Sequence, residues 1–151
     1  LFDVQEVFAE KIKLIEQKSE KKGIRIEDQS LRDFVYADRS MVEIIVQNLL
    51  TNAVKFCEAG DTITIENHIS NGNSLISIGD TGVGISKENQ EELFKNNSFT
   101  TIGTKNEKGT GLGLTICKEL VELNHGKIWV ESTKNIGSTF YVELPKSNPQ
   151  A

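Results

Sequence analysis

The chain has 151 residues, 37% hydrophobic and 26% charged, with a net charge of −5 and a pI near 5.1. That length suits a single domain able to bury roughly 70% of its unfolded surface without disulfides or metal staples. The acidic balance excludes the basic footprint of a general nucleic-acid binder. No apolar run reaches the length of a membrane span, and no secretory leader opens the chain, so it reads as a soluble segment. Its two cysteines, Cys57 and Cys117, lie far apart without partners at metal-ligand spacing, which fits two core thiols in a reducing compartment better than a zinc site. A start at Leu1, directly in a helical pattern, reads as a piece of a longer polypeptide.

Val4, Val7, Phe8, Ile12 and Ile15 recur at helical spacing and predict a first helix over Val4–Lys22, with Asp3 as N-cap, Glu6 at capping-box distance and Gly23 as the stop. Ile24–Glu27 and Phe34–Ala37 read as short strands. A long helix follows, starting at Asp38 or Ser40 and ending at Cys57; Ser40 and Glu43 have capping-box spacing. After the Ala59-Gly60-Asp61 turn the period changes to two. Thr62–Ser70 alternates, with Ile63, Ile65 and Ile69 expected inward and Thr64, Glu66 and His68 outward. Asn71-Gly72-Asn73 signals a hairpin, and Leu75, Ile76 and Ile78 lie on the returning strand. Ser86 caps a short helix to Phe94. Lys95 to Lys108 lacks periodicity and reads as a loop. A further helix opens at Gly109–Leu114 and runs to Asn124 with Gly126 as its stop, and Lys127–Ser132 and Ser138–Leu144 form a last hairpin closed by Pro145. The expected fold is α+β: a two-layer sandwich in which a mixed, mostly antiparallel sheet of about five strands packs on three longer helices.

Three stretches carry chemistry. On the long helix Val42, Ile45, Val46, Leu49, Ala53 and Phe56 form an apolar stripe, while Asn48, Asn52 and Lys55 align at i, i+4 and i+7. Two amides one turn apart offer carbonyl oxygens to a metal and N–H groups to phosphate, although an ordinary solvated face is the plainer alternative. Asp80-Thr81-Gly82-Val83-Gly84-Ile85 leaves a strand without bulky side chains where a flat ligand could lie. An ionised Asp80 accepts hydrogen bonds only, which suits an adenine amine and rejects the guanine carbonyl. Taken alone, such a turn is more often a simple β-turn. The run Gly109–Leu114 sets glycine N–H groups at a helix N-terminus, where phosphate is favoured, or else forms a hinge. No Gly-Lys-Ser/Thr follows it and no βαβ unit surrounds it, so neither a Walker loop nor a dinucleotide fingerprint applies.

In order, NLLTNAVKF, DTGVGI, Leu93-Phe94 with Phe99, and GTGLGL resemble the four boxes of the GHKL ATPases. Specifically they are similar to the catalytic, ATP-binding domain of sensor histidine kinases, hybrid kinases included. GKIWVES and GSTFYVELP extend the likeness over nearly the whole chain, 1–151 as one domain with residues 1–22 as a leading helix. The resemblance implies the Bergerat ATP-binding fold with ATP and Mg²⁺ as cofactors. By position, Asn52 would ligate Mg²⁺, and Asn48 would contact phosphate or metal-bound water. Lys55 would add charge beside the phosphates, with Ala53 next to it and Phe56 by the ribose and base. Asp80 would read adenine, with Gly82, Gly84 and Ile85 as walls and Thr139 holding a bridging water. Phe94, Thr101 and Lys105 would belong to the site at a flexible ATP lid over residues 95–111. Gly109, Thr110, Gly111, Leu112, Gly113 and Leu114 would close over the phosphates. Phe99 follows Phe94 at a wider gap than the family pattern, so Thr100, Thr101 and Thr104 compete for its role, while Lys105 and Lys108 could reach the γ-phosphate, although a solvated charge is the plainer reading of each.

In related topoisomerases, mismatch-repair ATPases and heat-shock chaperones, a glutamate one turn before the metal asparagine activates water. Here Asn48 stands in that place, and an amide cannot take a proton, so rapid ATP hydrolysis is not expected. Neither His68, on a polar strand face, nor His125, at a helix end, suits a phosphoacceptor. The implied partners are therefore a histidine-bearing dimerisation domain upstream and a response-regulator receiver domain downstream. The resemblance implies a monomeric segment within a homodimeric parent, in the cytoplasmic part of a sensor. The rival readings are an anti-sigma-factor serine kinase and a nucleotide-binding module without transfer.

Overall fold

Asp3 accepts the Gln5 backbone N–H at 3.0 Å and starts α1 (Val4–Lys22), which ends at Gly23 with φ of 80°. The structure is a computed structural model that describes residues 1–94 and 113–149. Glu6 makes no capping box; its carboxylate instead meets Arg39 at 3.2 Å on the next long helix. Phe2–Asp3 forms a strand, β1, too short for periodicity to reveal. It pairs antiparallel with β3 (Phe34–Val35), which follows β2 (Arg25–Asp28). Of the two possible starts for α2 (Arg39–Phe56), Asp38 is the cap, its carboxylate accepting from Met41 at 3.0 Å.

β4 (Thr62–Ser70) and β5 (Asn73–Asp80) are joined by Asn71 and Gly72, with φ of 52° and 79°. Two successive positive φ values give the turn that matches strand twist. Then come α3 (Lys87–Glu92), α4 (Gly113–Leu123), β6 (Lys127–Thr133) and β7 (Gly137–Pro145). The five-stranded sheet has the order β2-β4-β5-β7-β6, parallel only between β2 and β4. The helices α1, α2 and α4 cover one face, with α2 touching both of the others.

Alternation sorts the sheet residues. Ile63, Ile65, Ile76, Ile78, Phe140, Val142 and Leu144 are all at most 3% exposed and form the core with Val42, Ile45, Val46, Leu49 and Ala53 of α2. The opposite face carries Thr62, Thr64, Glu66, Ser77, Thr139 and Tyr141 around a shallow depression of about 340 Å³. Trp129 stacks on Tyr141 at 5.3 Å.

Two expectations change. Ile69, expected inward, is 63% exposed. The last buried position on that side of β4 belongs to Asn67, whose amide accepts from the Leu31 N–H at 2.7 Å and donates to the Leu31 carbonyl at 2.8 Å. The cross-strand partner of Ile69, Ser74, is nonetheless fully buried, so the exposure belongs to β4 and not to the whole hairpin. The left-handed residue ending α4 is His125 (φ 61°), not Gly126. The Gly126 N–H bonds Val121 and the His125 N–H bonds Glu122, the crossed pair of a Schellman turn. Gly126 serves close packing instead, because a Cβ there would overlap the Glu143 carbonyl oxygen.

Candidate functional site

Since the apolar stripe of α2 is buried, its polar row is turned to the edge of the helical layer. Asn48, Asn52 and Lys55 are half-buried, while Ala53 beside them is 4% exposed and belongs to the core. The Lys55 ammonium lies 4.8 Å from the centre of the Phe56 ring. The first residue of α4 comes up against this row, so that a Cβ on Gly113 would stand 3.8 Å from the Asn48 amide oxygen. The fold thus brings the end of the second glycine run beside Asn48. Leu114 packs partly against the core. The Asn48 side chain also bonds Cys117, whose thiol burial pushes up to about 12. Burial lifts Cys57 likewise to about 12, with nearby Asp80 and Asp61 adding to it, so both thiols are inert packing groups at neutral pH.

The turn after β5 is fastened from three sides. The Val83 N–H donates to the Phe56 carbonyl at 3.1 Å, the Asn135 N–H to the Val83 carbonyl at 2.6 Å, and the Ile85 N–H to the Ser132 hydroxyl at 2.8 Å. Its glycines answer to these contacts. A Cβ on Gly82 would strike the Phe56 carbonyl oxygen, and one on Gly84, where φ is 71°, would strike that of Thr133. Ile85 is 5% exposed.

Asp80 stands at the start of this turn. Its carboxylate accepts from the Gly82 N–H at 2.9 Å and from the Ser138 N–H. Burial nevertheless pushes the carboxyl up to about 6, against the pull of those two donors and with Asp61 assisting. Two N–H groups leave lone pairs for another donor, so the group can bind one more polar partner.

Thr139 does not share the Asp80 side of the sheet. It pairs with Gly79 and faces the open depression, whereas Ser138 pairs directly with Asp80 and points inward, 6% exposed, with its hydroxyl 2.7 Å from that of Ser132. Sequence reasoning overlooked Ser138, although strand parity with Phe140, Val142 and Leu144 places it inward. Phe94 packs edge-on against Phe140 at 6.4 Å, so its ring is held by the core. Thr101, Lys105, Gly109, Thr110, Gly111 and Leu112 lie outside the described residues, as do Phe99 and Lys108.

The donor set fits a nucleotide carrying its own metal. Among the described residues no three His, Cys, Asp or Glu side chains converge to hold an ion. A lone amide oxygen such as that of Asn52 suits Mg²⁺, which takes most of its ligands from phosphates and water.

A family profile described as "Histidine kinase-, DNA gyrase B-, and HSP90-like ATPase" matches residues 37–148. The chain is 34% identical over 145 residues to the adaptive-response sensory kinase SasA of Gloeothece citriformis, which covers 94% of this chain and 37% of that protein. It is 37% identical over 150 residues to the phytochrome-like protein Cph1 of Synechocystis, covering 97% of this chain and 19% of that one. The chain therefore spans under two-fifths of these relatives' length. The nucleotide-free catalytic domain of histidine kinase ThkA superposes with a TM-score of 0.82 at 32% identity, covering 97% of both chains. ThkA in complex with the response regulator protein TrrA gives 0.77 at 30% identity, covering 97% of this chain and 41% of that one. By profile, sequence and shape together, the chain belongs to the histidine kinase-, gyrase B- and HSP90-like ATPase family, as a domain of the histidine-kinase type.

Proposed function

We propose that this chain binds Mg-ATP and donates the γ-phosphoryl group to a histidine on a separate dimerisation domain of its parent, from which a response-regulator receiver takes it. The observation that supports this reading is the Asp80 turn fastened through Val83 to the end of the asparagine helix, which ties the Asp80 carboxylate and the amide row of α2 to one frame, as a base reader and a phosphate contact of one nucleotide would require. In this reading ionised Asp80 accepts the adenine amine, and Gly82, Gly84 and Ile85 shape the wall against the base. Ser138 shares the Asp80 side of the sheet and takes the supporting place first expected of Thr139. Phe56 packs toward the ribose and base. Lys55 supplies positive charge, and Asn48 with Gly113 and Leu114 lines the phosphate end. Asn52 offers its amide oxygen to Mg²⁺, which when bound neutralises phosphate charge and orients the triphosphate.

The chain's own contribution to transfer is positioning. No carboxylate occupies the place of Asn48 to take a proton from water, so hydrolysis without an acceptor stays slow. Thr101, Lys105 and residues 109–112 are assigned to closing over the phosphates. All of 1–151 is read as one catalytic domain in the cytoplasmic part of a sensor kinase. No described helix is long and apolar enough to cross a membrane.

The test is the parent polypeptide, with its upstream dimerisation domain, incubated with γ-labelled ATP and Mg²⁺. Acid-labile label on a histidine, lost in Asn52→Ala, is the expected result. Label on serine points to the serine-kinase class. ATP binding without any label leaves a binding module.

A further inference from the structure

An α-helix leaves its last four carbonyls without partners, and where such an end is buried those oxygens must find donors. At the end of α2 they do. The Lys22 ammonium, on the last residue of α1, donates to the Val54 carbonyl at 2.8 Å and to the Lys55 carbonyl at 3.1 Å, and the next carbonyl, that of Phe56, accepts from Val83 of the Asp80 turn at 3.1 Å. Lys22 is only 6% exposed. A buried ammonium is retained only where acceptors compensate its lost hydration, and a helix C-terminus carries the negative partial charge that does so. The backbone around it is also fixed. Gly23 accepts from the Gly60 N–H at 2.9 Å, and a Cβ on Gly23 would stand 3.1 Å from the Ala59 methyl, so the ends of α1 and α2 are fastened side by side.

We propose that Lys22 is a positioning residue for the nucleotide site, tying the final turn of α2 to α1 and so setting where Lys55, Phe56 and, through Phe56, the Asp80 turn stand. The inference rests on the nucleotide reading above and adds a regulation to it. Residues 1–22 lie on the side where an upstream domain would join, and a shift of α1 along its axis would draw the ammonium off the Val54 and Lys55 carbonyls. The Val54 and Lys55 carbonyls would then lose the ammonium, Val54 keeping the Cys57 N–H at 3.3 Å, and the phosphate and adenine ends of the site would lose their tie to α1. Nucleotide affinity and the position of α1 are thereby linked, and by reciprocity a bound nucleotide holds α1 in place.

The experiment compares wild type, Lys22→Met and Lys22→Arg by calorimetric titration with a non-hydrolysable ATP analogue and Mg²⁺, well below each melting temperature. Ile12→Val, a core change elsewhere in α1, controls for general destabilisation. Lys22→Met is expected to weaken binding about tenfold, the scale of a lost charged hydrogen bond. Lys22→Arg should recover most of that, and Ile12→Val should lower the melting temperature without moving Kd. Wild-type affinity in folded Lys22→Met overturns the proposal. Should that variant fail to fold, the Lys22 side-chain nitrogen resonance in the wild type decides: it should shift on saturation with the analogue, and a resonance that stays put overturns the proposal. Wild-type protein that binds no nucleotide removes the underlying reading as well, a result distinct from binding that ignores Lys22.

Discussion

The two faces of the five-stranded sheet are built from the same strands by alternate residues, yet they answer to different demands. On the helix side Ile63, Ile65, Ile76, Ile78, Phe140 and Val142 are almost fully excluded from water, and this is the side on which Asp80 and Ser138 pair. On the open side hydroxyls and Glu66 surround a shallow depression. A site residue on the first face is embedded in the core and inherits its rigidity, along with the penalty of a buried charge. One on the second face inherits neither. Parity along the strand thus puts Ser138, and not its neighbour Thr139, directly opposite Asp80.

The largest contrast should come from packing. Ile65→Ala should cost about 2–5 kcal/mol in chemical denaturation, whereas Thr64→Ala, its neighbour on the open face, should stay within about 0.5 kcal/mol. Equal losses would mean that the open face is covered.

Asp80→Asn should separate stability from function. In the wild type a carboxyl raised from 3.8 to about 6 is better protonated in the folded chain. The stability this group contributes is therefore fully present below about pH 4 and is lost as pH rises through about 6. The amide variant removes that penalty and should be more stable by about 1–3 kcal/mol at pH 8, with the gain vanishing near pH 4, while adenine-nucleotide affinity falls about a hundredfold. Urea melts across pH and calorimetry read the two effects separately.

For the wild type, affinity should decline below pH 6 as Asp80 protonates, by about tenfold per unit, against a flatter profile in the Asn variant. The smallest contrast lies within β7. Ser138→Ala should weaken nucleotide binding by about fivefold to tenfold, and Thr139→Val by less than about twofold. The reverse order would place the supporting hydroxyl on the open face.

Much of this frame was legible in the chain, because period and punctuation carried it. The polar row Asn48, Asn52, Lys55 opposite an apolar stripe, the Asn71-Gly72 turn and the glycine spacing after Asp80 each have a local cause. What escaped has non-local causes. β1 consists of two residues and exists only because β3 lies beside it. Ile69 follows the inward parity of Ile63 and Ile65 but lies exposed past the end of β2, which pairs with β4 only as far as Ile65, and Asn67 takes the last buried place on β4 to hold the Leu31 loop. His125 ends α4 because Gly126 is needed where the Glu143 carbonyl comes too close for a Cβ. Ser138 could have been found by carrying the Phe140 and Val142 alternation two residues back. The Lys22 contact pairs residues more than thirty positions apart; the only local sign of it is that Lys22, seven residues after Ile15, continues the buried stripe of α1 where Lys21 does not.

The central claim is that Asp80 reads adenine on a frame shared with the Asn52 metal ligand. Calorimetric titration of the chain with a non-hydrolysable ATP analogue tests it most directly, with and without Mg²⁺, beside GTP and in Asp80→Asn. The account predicts saturable, Mg²⁺-strengthened binding that GTP does not match and that the variant loses while remaining folded. Equal binding of GTP, or undiminished affinity in folded Asp80→Asn, would contradict it.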